Sequence, residues 1–197
     1  MAEGSPRETP RETPRETQHE APRDAPRGLA ARVMRLLRHR WWDETDTRRA
    51  LGPEALSRIE QRIARSEARH GGEIRVCVEA GLPLSYLWRD ASARERAVSM
   101  FGKLRVWDTE ANSGVLIYLL LAEHQIEIVA DRGIARHVPP GHWQAIVASM
   151  RSEFRAGRFE PGLLQAIEAV EALMLQHFPQ IEGHANPDEL PNRPYLG

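Results

Sequence analysis

The stretch Ser113 to Gly133, SGVLIYLLLAEHQIEIVADRG, limits what this chain can fold into more than any other. Val115 to Ala122 is an unbroken apolar run rich in Val, Ile, Leu and Tyr, and Gly114 opens it. That composition suits a strand buried on both faces of a sheet. After a polar break at Glu123-His124-Gln125 the chain alternates, with Ile126, Ile128 and Ala130 on one side and Glu127 and Val129 on the other. Period two predicts a strand with one wetter face. So short a break permits only antiparallel pairing. A β-hairpin is expected at the centre of a domain, and helices must cover it.

The flanking sequence supplies those helices. Pro53 to Arg69 carries Ala55, Leu56, Ile59, Ile63 and Ala64 as a stripe at helical spacing, with His70-Gly71-Gly72 as the stop. Arg58, Glu60, Arg62 and Arg65 read as its solvated face. Glu73 to Ala80 alternates as a strand that holds Cys77, and Arg94 to Leu104 reads as a helix leading into the hairpin. A strand, a helix and a second strand in this order predict a crossover between parallel strands. Two further helices, about His142 to Phe154 and Glu160 to His177, follow a turn at Val138-Pro139-Pro140-Gly141. The expected fold is α/β, a small mixed β-sheet with a central hairpin flanked by helices on both faces. It forms a three-layer sandwich over residues 51–180.

Three flanking segments read differently. Residues 1–28 hold a decaying Pro-Arg-Glu-Thr repeat with almost no apolar side chains, expected as a disordered tail. Residues 29–50 form a basic amphipathic segment. On a helical wheel Leu29, Val33, Met34, Leu36, Leu37 and Trp41 share one side of 29–42, and Arg32, Arg35, Arg38 and His39 the other, with Arg40 the exception. Such a helix docks on its own domain or a partner with Trp41-Trp42 as anchor, or it lies on an anionic membrane surface. Residues 181–197 read as a flexible tail.

Composition narrows the function. Lys plus Arg is 27 against Asp plus Glu 28, so nothing global favours nucleic acid. Cys77 is the single cysteine, which rules out an internal disulfide. No run approaches the ~20 apolar residues of a membrane span. The polar, proline-rich start is unlike a secretory signal. A cytoplasmic protein is expected, with peripheral membrane contact through 29–42 as an addition and a protein partner.

Chemistry concentrates in Val106 to Gly114, VWDTEANSG, where Asp108, Glu110 and Asn112 alternate just before the buried strand. This loop reads either as a turn whose carboxylates cap backbone groups or as an oxygen-ligand site for a hard cation. Antiparallel pairing brings Asp131-Arg132-Gly133 to the same rim. Asp131 and Arg132 read there as a local ion pair or as part of that site. His70, His124, His137 and His142 lack metal-ligand spacing and read as surface residues. P-loop, Gly-x-Gly-x-x-Gly and Gly-x-Ser-x-Gly patterns are missing, and no serine shows a paired His and Asp.

Four segments in order carry a family resemblance: SEARHGGEIRVCVEA, RERAVSMFGKLRVWDTEA, NSGVLIYLLLAEHQIEIVADRGI and WQAIVASMRSEFRAGRFEPGLLQAIEAVEALMLQHFP. Together, from about Leu51 to Pro179, they resemble the TPM domain family. Its name comes from a thylakoid lumen protein, a photosystem II protein and a modulator of acetylcholine receptors. The chain looks like a short bacterial subgroup without a membrane helix or glycine-rich tail. The resemblance implies an α/β sandwich that acts as an accessory or binding domain supporting a membrane-associated complex. It also implies two alternatives, a metal-assisted acid phosphatase and a structural oligomerisation module. Calcium (Ca2+) is the implied cofactor, and Asp108, Glu110, Asn112 and Asp131 are the candidate metal ligands. Asn112-Ser113-Gly114 stands where the family has Asp-Asn-Gly, and Ala130-Asp131-Arg132-Gly133 where it has a Gly-Tyr-Gly-like turn.

Overall fold

A computed structural model describes residues 28–42, 44–180 and 189–197. The tail expected at 1–28 lies outside the described residues, Gly28 excepted. The central hairpin forms as expected. β2 (Gly114–Leu120) pairs antiparallel with β3 (Gln125–Ala130), from Val115 opposite Ala130 to Leu120 opposite Gln125. All seven residues of β2 are buried. The apolar run does not stay extended to Ala122. Leu121–Glu123 turns as one 3-10 segment, and His124 takes a left-handed backbone, φ 51°, to reverse the chain.

β1 (Glu73–Glu79) lies on the other side of β2, parallel and in register from Glu73 opposite Gly114 to Glu79 opposite Leu120. The crossover between them runs through α4 (Leu84–Trp88) and α5 (Ala93–Lys103). Ser92 caps α5 in a capping box with Glu95, which satisfies two of the open amides at its start. On one face of the sheet Ile74, Val76, Val78, Val115, Ile117 and Leu119 pack against α3 (Pro53–Glu67), α7 (Pro140–Arg155) and α8 (Phe159–His177). On the other face Cys77, Leu116, Tyr118 and Leu120 pack against Leu87 of α4 and Ala93, Ala97 and Met100 of α5. The mixed α/β sandwich of three layers is thus observed.

Three expectations are corrected. First, the end of the chain is not a loose tail. β4 (Tyr195–Leu196) adds to β1 in parallel and makes the sheet order β3-β2-β1-β4. Backbone bonds from Ala80 N–H to Gly197 O and from Gly197 N–H to Val78 O close this edge. The buried Arg75 guanidinium donates to the carbonyls of Pro191 and Arg193, and Leu190 N–H donates to Glu73. Residues 181–188 lie outside the described residues. Nothing local in the sequence reveals that the partners of Arg75 and Glu73 arrive from the end of the chain.

Second, α1 (Leu29–Trp41), which the short α2 (Glu44–Ala50) follows, sits with its polar side inward. Arg35 and His39 are buried, whereas Leu29, Val33, Met34, Leu37 and Trp41 are exposed. Glu123 at the hairpin turn accepts from Arg35 Nε at 2.5 Å and from His39 Nε2 at 2.9 Å. Arg35 also reaches Asp90 at 3.0 Å and the Ala91 carbonyl at 2.7 Å, while His39 Nδ1 accepts from Leu82 N–H at 3.0 Å. A buried carboxylate is costly without donors, so this network outweighs the gain from turning the apolar stripe inward. Of the two tryptophans proposed as anchor, only Trp42 is partly buried against the core. Third, Arg62 of α3 is not an idle surface charge, whereas Arg58 faces solvent as expected. Arg58 binds Glu160 through two bonds, and Arg62 and Arg69 both bind the buried Glu171 of α8.

The core makes a direct stability prediction. Ile117 is fully buried at the middle of β2, so Ile117→Ala will lower the unfolding free energy by about 2–5 kcal/mol. Val98→Ala, on the exposed side of α5, will change it by no more than about 0.5 kcal/mol. Urea denaturation followed by circular dichroism measures both.

Candidate functional site

The rim of the sheet near the start of β2 is built from two loops. In the first, Thr109 is buried, and its hydroxyl accepts from Ser113 N–H at 3.0 Å. Asn112 N–H bonds the Thr109 carbonyl at 3.1 Å, and Asn112 takes φ 51°. Asparagine is one of the few residues that tolerates that left-handed turn. Ser113 Oγ donates to the Gly71 carbonyl at 3.1 Å and so ties the loop to the start of β1. The second loop begins at Asp131, which caps α6 (Arg132–Ala135) through Oδ1 and Arg132 N–H at 2.7 Å.

The two loops meet as expected. Gly133 N–H donates to the Asn112 carbonyl, and Asp131 N–H to the Gly114 carbonyl, each at 2.9 Å. Arg132 Nε donates to Asn112 Oδ1 at 2.8 Å. The backbones approach so closely that a methyl group on Gly133 would collide with the carbonyl oxygens of Asn112 and Ala111. Glycine is therefore the residue that lets the loops touch. At the centre, Asp131 is buried, and its Oδ2 has no hydrogen-bond partner.

Of the four residues expected to ligate a metal, the structure brings Asn112 and Asp131 together and engages the Asp108 carboxylate elsewhere. Asp108 is exposed and pairs with Arg105, and the Glu110 amide donates to Glu189 at 2.9 Å. Among the described residues no group of three or more His, Cys, Asp and Glu is placed to hold a metal ion. The orphaned Oδ2 of Asp131 nonetheless suits a hard cation. Asn112 Oδ1 and Asp108 would each have to exchange an exposed arginine for it. The ion pair expected between Asp131 and Arg132 is instead a backbone cap, and the Arg132 guanidinium turns to Asn112.

Two polar clusters were not foreseen. Ser66 and His70 are fully buried, and Ser66 Oγ lies 2.9 Å from His70 Nε2. The surface reading of His70 is thereby corrected, and His124, between Trp42 and Phe159, is half-buried as well. Ser66 lies in the last turn of α3 and His70 just past it, so their four-residue separation was the available signal. This pair is not an activated serine. His70 Nδ1 accepts from Gly72 N–H at 3.2 Å, so the neutral ring carries its proton on Nε2 and donates it to Ser66. A general base for serine needs a bare Nε2. Burial lowers the His70 pKa, which keeps the ring neutral. The second cluster joins Glu79, Arg96 and Tyr118 across β1, α5 and β2, with Tyr118 Oη donating to Glu79 at 2.7 Å. Burial, then the neighbouring Glu79 carboxylate, pushes both Tyr118 and Cys77 upward, so neither is a ready nucleophile at neutral pH.

A family model described as the TPM domain matches residues 45–173. The NMR structure of the BA42 protein from the psychrophilic bacterium Bizionia argentinensis is similar at 28% identity and TM-score 0.65. That match covers 75% of this chain and 95% of BA42. The N-terminal domain of a protein from P. gingivalis matches at 19% identity and TM-score 0.53, over 67% of this chain and 83% of that domain. At that identity the likeness concerns the fold alone. No curated protein matches the chain.

Two predictions follow from the rim and the buried histidine. Gly133→Ala will separate the loops and cost about 2–4 kcal/mol, with the largest amide shifts in NMR spectra at Asn112 and Gly114. The His70 imidazole is depressed, so the unfolded chain takes up the proton first as pH falls. Stability contributed by the neutral ring is complete above about 6.5, the unfolded value, and is lost as pH drops from there through the folded pKa. Ring carbon shifts of His70 in NMR will therefore titrate below the ordinary histidine value of about 6.5.

Proposed function

The chain belongs to the TPM domain family, and from that premise we propose that it is an accessory binding domain in a membrane-associated complex. Its recognition site is the rim where Asn112–Gly114 meets Asp131–Gly133. One observation carries this reading: the buried Asp131 Oδ2, an acceptor with no donor, on loops locked together by their own backbone. An unmatched buried carboxylate oxygen costs free energy that a partner's ammonium, guanidinium or amide N–H would recover. The exposed Arg132 beside it supplies a donor of its own, so the rim offers an acceptor and a cation side by side. A protein partner with a basic side chain next to an acidic one fits that pair.

A metal-assisted acid phosphomonoesterase is the second reading, and the same carboxylate oxygen favours it. Asp131 and Asn112 would hold the cation, with Asp108 and Glu110 on the adjoining loop as further oxygen donors. A bound cation there supplies polarisation of a phosphoryl oxygen. Arg132, released from Asn112, would orient the phosphate dianion through paired N–H donors. The Thr109 and Ser113 hydroxyls hold the loop in shape rather than attack, since each is spent on a backbone group.

A calcium titration by amide NMR, with p-nitrophenyl phosphate turnover at acid pH with and without chelator, separates the two. The binding-domain reading expects no turnover above buffer. Turnover that chelator removes, that Asp131→Ala abolishes and that Glu60→Ala preserves would replace it with the phosphatase. Saturable calcium shifts at Asn112, Gly114 and Asp131 that vanish in Asp131→Asn would assign the rim to a cation.

A further inference from the structure

The outward face of α1 is the part of the molecule least explained by its fold. Leu29, Val33, Leu37 and Trp41 follow one another at four-residue spacing, Met34 lies beside them, and all five are exposed. At about 100° per residue they span roughly 140° of the helix surface. The stripe cannot roll inward, because Arg35 and His39 on the opposite side are fixed by Glu123, Asp90 and the Ala91 carbonyl. Arg32 Nη2 bonds the Trp88 carbonyl at 2.7 Å and brings α4 alongside. There Leu84 is 70% and Trp88 78% exposed, close to the 79% of Trp41. Two indoles thus stand out from neighbouring helices.

We propose that this face, α1 with the tip of α4, is a docking surface for an anionic lipid bilayer. It goes beyond the reading of the rim and does not depend on it. Charge selects the occupant. Arg32, Arg38 and Arg40 are exposed on α1, and neither α1 nor α4 carries an acidic residue. A second copy laid face to face would bring arginines against arginines with no carboxylate on either helix to meet them. The Pro-Arg-Glu-Thr repeat offers Ala and Pro as its only apolar side chains and so cannot cover the stripe. Anionic headgroups answer the arginines, the acyl boundary takes the Leu, Val and Met side chains, and the tryptophans sit at the interface. The buried network sets the helix parallel to that surface before binding, so no folding transition is needed.

The test is flotation of the full chain with vesicles of phosphatidylcholine containing about a quarter phosphatidylglycerol, in about 0.1 M salt. Wild type is expected to float and its tryptophan emission to shift to the blue. V33E/L37E, placed on the exposed stripe, and R38E/R40E should each weaken binding about tenfold or more. Glu60→Ala, on α3 at the other face of the sheet, should float like wild type. Circular dichroism confirms that each variant is folded. Wild type that stays with the unbound fraction, or V33E/L37E that floats unchanged, would overturn the proposal. So would light scattering that shows a dimer dissociated by V33E/L37E without vesicle binding, since the face would then belong to a second copy.

Discussion

β2 has no solvent-facing side. Its seven residues are buried, so the sheet needs cover on both faces, and most of the architecture answers that need. α3, α7 and α8 close one face, and α4 and α5 close the other. The sheet also has two edges with open backbone groups, which invite pairing with other chains. On the β3 edge, Arg94 of α5 reaches over to the Ile128 carbonyl. β4 occupies the β1 edge and takes up backbone groups that would otherwise be open.

Charges placed inside this frame act as fasteners. Glu123 joins α1 to the hairpin turn, Glu79 joins β1 to α5, and Glu171 joins α8 to α3. Each is a carboxylate whose removal from water is costly and whose donors come from another element. Burial pushes Glu123 up, but the His39 and Arg35 bonds outweigh it and hold the carboxyl below its usual range. The same balance holds for Glu171, where burial is outweighed by Arg62 and then Arg69. Both attachments are complete above the ordinary glutamate value of about 4.3 and are lost as pH falls below it. Asp131 differs, because only one of its oxygens is bonded. That asymmetry separates the rim from the structural clusters.

Much of the fold was legible in the sequence because its signals are local. The alternation of Ile126 to Ala130, the apolar run from Val115 and the stripes of α3 and α8 each record which side chains leave water. The junction of the two rim loops was legible too, since a short antiparallel hairpin must return its second strand to the start of its first. Less of the site was visible. Asp108, Glu110 and Asn112 alternate in sequence, but the Asp108 carboxylate pairs with Arg105, and only the Glu110 backbone amide is held, by Glu189. The Ser66 and His70 pair was hidden because its meaning depends on the tautomer, and the Gly72 amide decides the tautomer.

By itself the sequence determined the element types, the parallel crossover and the hairpin, since hydrophobic period and linker length are properties of neighbouring residues. Only tertiary structure decided which way α1 faces and where the last residues go. Arg35 meets Asp90 and Glu123, 55 and 88 positions away, and Arg75 meets the carbonyls of Pro191 and Arg193 across more than a hundred. A helical wheel shows that α1 has two unlike sides. Which side turns inward depends on the buried charges waiting for it, and those exist only once the hairpin has folded.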